Sequence, residues 1–430
     1  MRAKFFTIGF ITSYLFMVLV STVHRDLIKK YIHDPADVFR YVSFLLEKPS
    51  VNIWRYFPVE HSKKGVTIYN PEKTWGDYTF FAHPDEMVLL VDMDGDVVYK
   101  WDTDFPEEHI TLMNDKPYLI RAFPDPADPR NIYTAHFSSK DFMVEYGMSK
   151  YDGASNLLWH SGEKVTHDMD FIDSGSFVSL AVRLRLEDHP GLTHLSPPYL
   201  ENFVVVMTPD GEVQKRISLL DAFHGTDYQG VLDDLELVPD DENYRVGDFF
   251  HPNTVTVVPA EFARQFPKIS DNSVMLSFRN LDMIVFVDMQ TEKVTWAFYG
   301  PWRGQHNTRF LENGNIIMFD NQGHLGEGGR SRVLEYDLKS QKIVWQYTGT
   351  AEQPFYSVYN GMIDILPNGN FLVTETHSGR IFEVTRGKEV VWEYYASKRV
   401  QYDGETRIPS LVNARRFTKD EVAVLLSDKD

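Results

Sequence analysis

Four residues of this chain pair basic side chains with a spacing that could bring them together: His167, His251, Arg279 and His306. His167 stands eight residues before the turn glycine Gly175, His306 eight before Gly314, and Gly361 eight before Gly369. The register is shared, so the two histidines occupy equivalent places in different repeats. His251, in DFFHPNTVTVV, opens the same kind of strand, but a longer loop over residues 259–272 replaces its turn. The strand NSVMLSFRN returns from that loop and ends at Arg279. A strand that leaves one face and the strand that returns to it end near each other, which predicts Arg279 beside His251.

A guanidinium offers a planar donor fork, and an imidazole can serve as donor, acid, base or nucleophile. Together they suit a tetrahedral oxyanion such as sulfate or phosphate. Three histidines could instead hold zinc, but a fixed guanidinium disfavours a dication beside it, so no metal and no cofactor is expected. No Ser-His-Asp context and no glycine-rich phosphate loop supports a hydrolase or kinase template. The chain has no cysteine, which excludes disulfides, thiolate ligands and cysteine nucleophiles. A formal charge of -19 argues against nucleic acid, which needs a basic face.

The elements that must position these residues recur along the chain. A strand-turn-strand unit ends in tryptophan at Trp101, Trp159, Trp296, Trp345 and Trp392, and a sixth copy has Ile217 there. Between these units lie second hairpins, such as HNTRFLENGNIIMFD and GMIDILPNGNFLVTET, with Asn-Gly turns that supply positive φ. Two hairpins per repeat make four strands, one propeller blade, and six copies predict an all-β six-bladed β-propeller over residues 61–430. The first strand of each blade would line the axis, so strand starts in matched phase converge at one face. The tryptophans are expected to pack between blades. VDMDGD at residues 91–96 departs from the calcium-loop pattern and reads as a hairpin turn. The acidic insertion over 219–250 reads as a solvated face.

Ahead of the repeats, Phe5 to Val23 carries no charge. At 1.5 Å per residue it would span roughly 28 Å, close to a bilayer core of about 30 Å. It reads as a signal anchor within residues 1–24, followed by a juxtamembrane helical lead-in over 25–60. That predicts a protein anchored in the inner membrane, with basic residues on both flanks leaving its orientation open. A homo-oligomer or a membrane protein partner would suit the lead-in.

At these residues the sequence resembles the bacterial aryl-sulfate sulfotransferases. THDMDF with His167, FHPNTV with His251 and Asn253, LSFRN with Arg279, and GQHNTRFLENGNIIMFDNQ with His306 carry the resemblance. SRVLEYDLKSQKIVWQY and QPFYSVYNG extend it downstream. The resemblance implies a six-bladed propeller that faces the periplasm or cell exterior, and ping-pong transfer of a sulfuryl group from a phenolic sulfate ester to a phenol, without phosphoadenosine phosphosulfate. It implies His306 as the nucleophile that becomes sulfated. Arg279, His251 and His167 would bind the sulfuryl oxygens and assist proton transfer. Asn253 and Tyr356 are candidate substrate contacts, while His324 and His377 read as loop histidines near the rim. The loop between His251 and Arg279 exceeds the family's usual length and could reshape or occlude the pocket. The competing readings are a non-catalytic propeller that binds an anion or scaffolds a membrane complex, and a metal-dependent hydrolase or lyase.

Overall fold

The computed structural model describes residues 55–427 apart from 60, 86, 105–117, 138–144, 173–174, 186, 236–246, 326–329, 403 and scattered positions between 191 and 198. Among the described residues the chain is all-β, with short helical turns only. Five sheets have four strands, one has five and one has three.

The larger sheets follow one another along the chain. The first joins Tyr78–His83, Met87–Asp92 and Val97–Asp102 to Val412–Phe417 from the C-terminal end. The second runs from Tyr118–Pro124 to Leu157–Ser161, and the third from Val165–Phe171 to Val213–Ser218. The fourth runs from Pro252–Val257 to Lys293–Tyr299, and the fifth from His306–Phe310 to Lys342–Thr348. The sixth runs from Met362–Ile365 to Val390–Tyr395 and gains Gly65–Tyr69 at its outer edge. Tyr56–Pro58, Val400–Tyr402 and Glu405–Pro409 form the three-stranded sheet.

The sequence dictates these elements locally. Met283–Asp288, MIVFVD, is buried at every position, as a strand covered on both faces must be. Val97–Asp102 at an outer edge alternates buried and exposed residues instead. In the outer hairpins a strand-ending aspartate builds the turn. Asp92 accepts the backbone N–H groups of Asp94 and Asp96, and Asp152 accepts those of Ala154 and Asn156. VDMDGD is therefore a hairpin turn.

Successive sheets are joined by side chains. The Trp101 indole donates to the Arg130 carbonyl in the second sheet's turn, and Trp159 donates to Pro209 in the third sheet's turn. Trp345 donates to Arg386 in the sixth sheet, and Trp392 donates from the sixth sheet to Met93 in the first. Ile217 has no such donor, and Lys215 reaches the Met289 carbonyl of the fourth sheet instead, at 2.6 Å. On the inner side, the first strands of successive sheets touch, and that of the sixth touches Val412–Phe417 of the first. Asx side chains substitute there for a missing backbone ladder. Asp168 accepts from the Val255 N–H, Asn307 from Ile363 and Asp364 from Arg416.

Two expectations need correction. The placement in the inner membrane is overturned: no helix among the described residues is long and apolar enough to cross a membrane. The five-residue helices Leu219–Phe223 and Ala423–Ser427 each rise only about 8 Å. The expected anchor over 1–24 and most of the lead-in over 25–60 lie outside the described residues. The loop 259–272 does not reach the site. It joins the ends of Pro252–Val257 and Ser273–Phe278 that lie away from His251 and Arg279. There its Phe262 packs on Phe286 and Phe310, filling the seam between the fourth and fifth sheets.

Candidate active site

Turn-end hydrogen bonds set the phase of the inner strands. The backbone N–H of Ile172 bonds the Ser176 carbonyl, that of Leu311 bonds Asn315, and that of Val258 bonds Ser273. Five residues back from each lie His167, His306 and Asn253. The two histidines therefore share a position, as the turn glycines imply. The fourth sheet puts Asn253 there and carries His251 two residues earlier, at the mouth of the strand.

His306 begins its strand and is only 2% exposed. Its Nδ1 lies 2.8 Å from Asn321 Oδ1 and 3.0 Å from the Gly304 carbonyl. Its Nε2 lies 3.3 Å from the backbone N–H of Asn360. Burial pushes the His306 pKa well below the usual imidazole range, and the positive charge of Arg279 pushes it further. His251 and Arg121 add to this, while the hydrogen bond that Nδ1 donates to Asn321 opposes it. The ring is neutral at pH 7.

Arg279 leaves the strand Ser273–Phe278 and starts a single 3-10 turn, Arg279–Leu281, closed by Asp282 at φ 51°. Its backbone N–H bonds the His251 carbonyl at 3.2 Å, so the strand and its return partner do end together. Its Nη1 donates to Asn280 Oδ1 at 3.1 Å, and its guanidinium lies 5.3 Å from the Tyr359 ring centroid. Asn280 Nδ2 in turn donates to the Asp248 carbonyl at 2.6 Å.

Asp248 also holds His251, with Oδ2 2.6 Å from the ring Nδ1. A carboxylate can only accept, so His251 carries its proton on Nδ1 and presents Nε2 elsewhere. The His167 ring meets the His251 ring edge to face, with centroids 4.9 Å apart. Both histidines sit in left-handed backbone, at φ 49° and 46°. Non-glycine residues there store strain, which marks functional positions when it is observed.

Asn253 is buried, and its Nδ2 donates to the Gln305 carbonyl at 2.7 Å, tying the fourth sheet to the residue before His306. Tyr356 is 38% exposed, and its backbone N–H goes to Glu375. Tyr359, three residues on, is the aromatic ring beside Arg279. His377 is half-buried, its ring stacked on Phe57 at 3.8 Å and edge to face with Tyr359 at 5.3 Å, and desolvation lowers its pKa to about 3.

Four residues escaped the sequence reading: Asp248, Asn321, Tyr359 and Arg121. Asn321 follows Ile316–Asp320 as Arg279 follows Ser273–Phe278, so the rule that finds Arg279 beside His251 also finds Asn321 beside His306. The others carried no such signal.

The site histidines do not gather as a metal-ligand set. Among the described residues one group of three could share a cation, His189, Glu201 and Asp221, whose ligand atoms lie within 4.8 Å of one another. Glu201 is already held by Arg185 at 2.9 Å and Ser218 at 2.6 Å.

The fold and the site define an all-β chain that carries imidazoles at strand starts and a guanidinium at the end of a returning strand. The chain belongs to the arylsulfotransferase (ASST) family, whose model matches residues 163–398, more than half of its length. That span holds His167, His251, Arg279 and His306. No curated protein sequence matches. Among solved structures, a protein of unknown function from Bacteroides caccae aligns with TM-score 0.45 at 10% identity, covering 78% of this chain and 98% of that one. A streptogramin B lyase aligns with TM-score 0.41 at 10% identity, over 82% and 91% of the two chains. A virginiamycin B lyase from Staphylococcus aureus gives 0.41 at 10% identity, over 85% and 98%. These likenesses are too distant to carry an argument.

Proposed function

We propose that the six larger sheets close as a six-bladed propeller that transfers a sulfuryl group from an aryl sulfate to a phenol by way of His306. The observation that carries this reading is a buried, neutral imidazole beside a guanidinium. A nucleophilic histidine must offer a nitrogen lone pair near pH 7, and both burial and Arg279 favour the neutral ring.

In the first half-reaction the His306 lone pair attacks sulfur, and the bond from sulfur to the aryl oxygen breaks. The departing phenolate takes a proton from His251. In the second, the acceptor phenol gives its proton to His251, its oxygen attacks sulfur, and the bond from sulfur to His306 breaks. His251 is restored to its protonated form, so no oxidant, metal or nucleotide is consumed. Asp248, against Nδ1, steadies the charged ring through each exchange. Arg279 faces the sulfuryl oxygens, where negative charge spreads in the transition state. His167, against the His251 ring, limits where that ring can turn.

The test is transfer from 4-nitrophenyl sulfate to an added phenol, comparing wild type with His306→Asn. Acceptor-dependent nitrophenol release lost in the variant supports the reading. No release from folded wild-type protein across a panel of aryl sulfates and phenols overturns it.

A further inference from the structure

We infer that Asn321 is a positioning residue that holds His306 in the tautomer protonated on Nδ1, leaving Nε2 as the reacting nitrogen. The inference rests on the proposed role of His306, and its first test is independent of activity.

Three contacts carry the argument. Asn321 donates through Nδ2 to the Ser357 carbonyl and to the Asn360 carbonyl, each at 2.7 Å. Both of its N–H groups are thereby used, and a flipped amide would set its oxygen against two carbonyl oxygens. The amide orientation is fixed by its surroundings. Its Oδ1 must therefore face His306 Nδ1, at 2.8 Å, as an acceptor. The Gly304 carbonyl, the other group at Nδ1, is an acceptor as well. Two acceptors at one ring nitrogen require its proton to be there. At the opposite nitrogen stands a donor, the Asn360 N–H, which suits a lone pair. Every group around the ring agrees on one tautomer.

Asn321 is fully buried, so no water competes for these bonds. It also ties His306 to the segment Ser357–Asn360, which carries Tyr359 over Arg279. One amide thus sets the tautomer of the nucleophile and the seat of the segment above it. The long contact from Asn360 N–H to Nε2 can lengthen further when sulfur bonds there.

The experiment uses the full chain labelled with ¹⁵N-histidine, with the His306 signals assigned by their loss in His306→Asn. Ring ¹⁵N shifts report which nitrogen bears the proton. The expected wild-type spectrum shows protonated Nδ1 and unprotonated Nε2 for His306. Asn321→Leu is expected to yield a mixture of tautomers. Its single-turnover nitrophenol burst is expected to slow by between about tenfold and 10⁴-fold, the upper bound being the loss when a catalytic histidine is held in the wrong tautomer. KM should change little. Asn321→Asp keeps an acceptor at Nδ1 and should retain the Nδ1–H tautomer while losing both bonds to Ser357 and Asn360. A wild-type His306 protonated on Nε2, or an Asn321→Leu variant with the wild-type ring spectrum, overturns the inference. If wild type shows the expected tautomer but transfers no sulfuryl group, the proposed reaction fails and the tautomer assignment stands.

Discussion

His251 and Asp248 form a dyad, with ring Nδ1 and carboxylate oxygen 2.6 Å apart, on the short segment that leads into the fourth sheet. The arrangement ties the His251 ring to a carboxylate through Nδ1 and leaves Nε2 for the role proposed above. The two imidazoles stand in different settings: His251 lies against a carboxylate, while burial and the charge of Arg279 disfavour a charged His306.

If His251 delivers a proton to the departing oxygen, its value depends on how poor the leaving group is. His251→Ala is expected to reduce kcat/KM little for 4-nitrophenyl sulfate and by about 10²-fold to 10⁴-fold for unsubstituted phenyl sulfate. A plot of log rate against leaving-group pKa should steepen. Asp248→Asn should steepen it less. Equal losses across all leaving groups would remove His251 from proton transfer.

In the proposed reaction Arg279 acts on charge that develops late. Arg279→Ala is expected to lower kcat/KM by about 10²-fold to 10³-fold, the loss typical of a removed oxyanion donor. Arg279→Lys should recover part of it, since a point charge lacks the planar fork. The same change takes away a cause of the lowered His306 pKa, so the acid limb of the pH-rate profile should move up in Arg279→Ala. A limb that stays in place would show that burial alone keeps His306 neutral.

His83, His306 and His377 all bind protons more weakly folded than unfolded. Burial is the leading cause for each, with His83 near 4 and His377 near 3. Below about pH 6.5 the unfolded chain takes up protons that the folded chain refuses, so stability falls as pH falls. For His377 the window runs from about 6.5 down to about 3. Its contribution is about 1.4 kcal/mol per pH unit at most. Asp170 and Asp364, whose pKa values burial raises, act in the opposite sense at acid pH. His377→Gln should therefore lose less stability than wild type between pH 7 and pH 5 in urea titrations. Parallel losses would exclude His377 from the transition.

His167 holds left-handed backbone that glycine adopts without cost, as Gly361 does in the same position of the sixth sheet at φ 102°. His167→Gly is expected to raise thermal stability, by up to about 1 kcal/mol after unfolded-chain entropy offsets part of the relieved strain. Sulfuryl transfer should fall at the same time. A less stable and fully active variant would make His167 a packing residue.

The fold was largely legible because its signals are local. A tryptophan at the end of five outer hairpins and a Ser-Gly or Asn-Gly turn at three inner ones mark strand pairs without reference to distant residues. The shared register of His167 and His306 was legible for the same reason, since each is counted from a nearby turn glycine. Arg279 beside His251 followed from hairpin geometry. Asp248 was not legible, because it emerges from the acidic insertion where no repeat sets the phase. Tyr359 was not either: the choice between Tyr356 and Tyr359 depends on how the segment before Met362–Ile365 is pinned, and Asn321 does the pinning from another sheet. His167 and His251 are also where local preference gives way, in left-handed backbone that glycine would adopt more readily.

The first sheet takes its innermost strand, Val412–Phe417, from nearly the end of the chain. During synthesis the ribosome releases Tyr78–His83 long before that partner exists, so for most of translation this strand presents an unpaired edge. Nascent chains and C-terminal truncations share that open edge, a template for pairing with other chains. Truncations that remove Val412–Phe417 should therefore be felt first as aggregation in the cell.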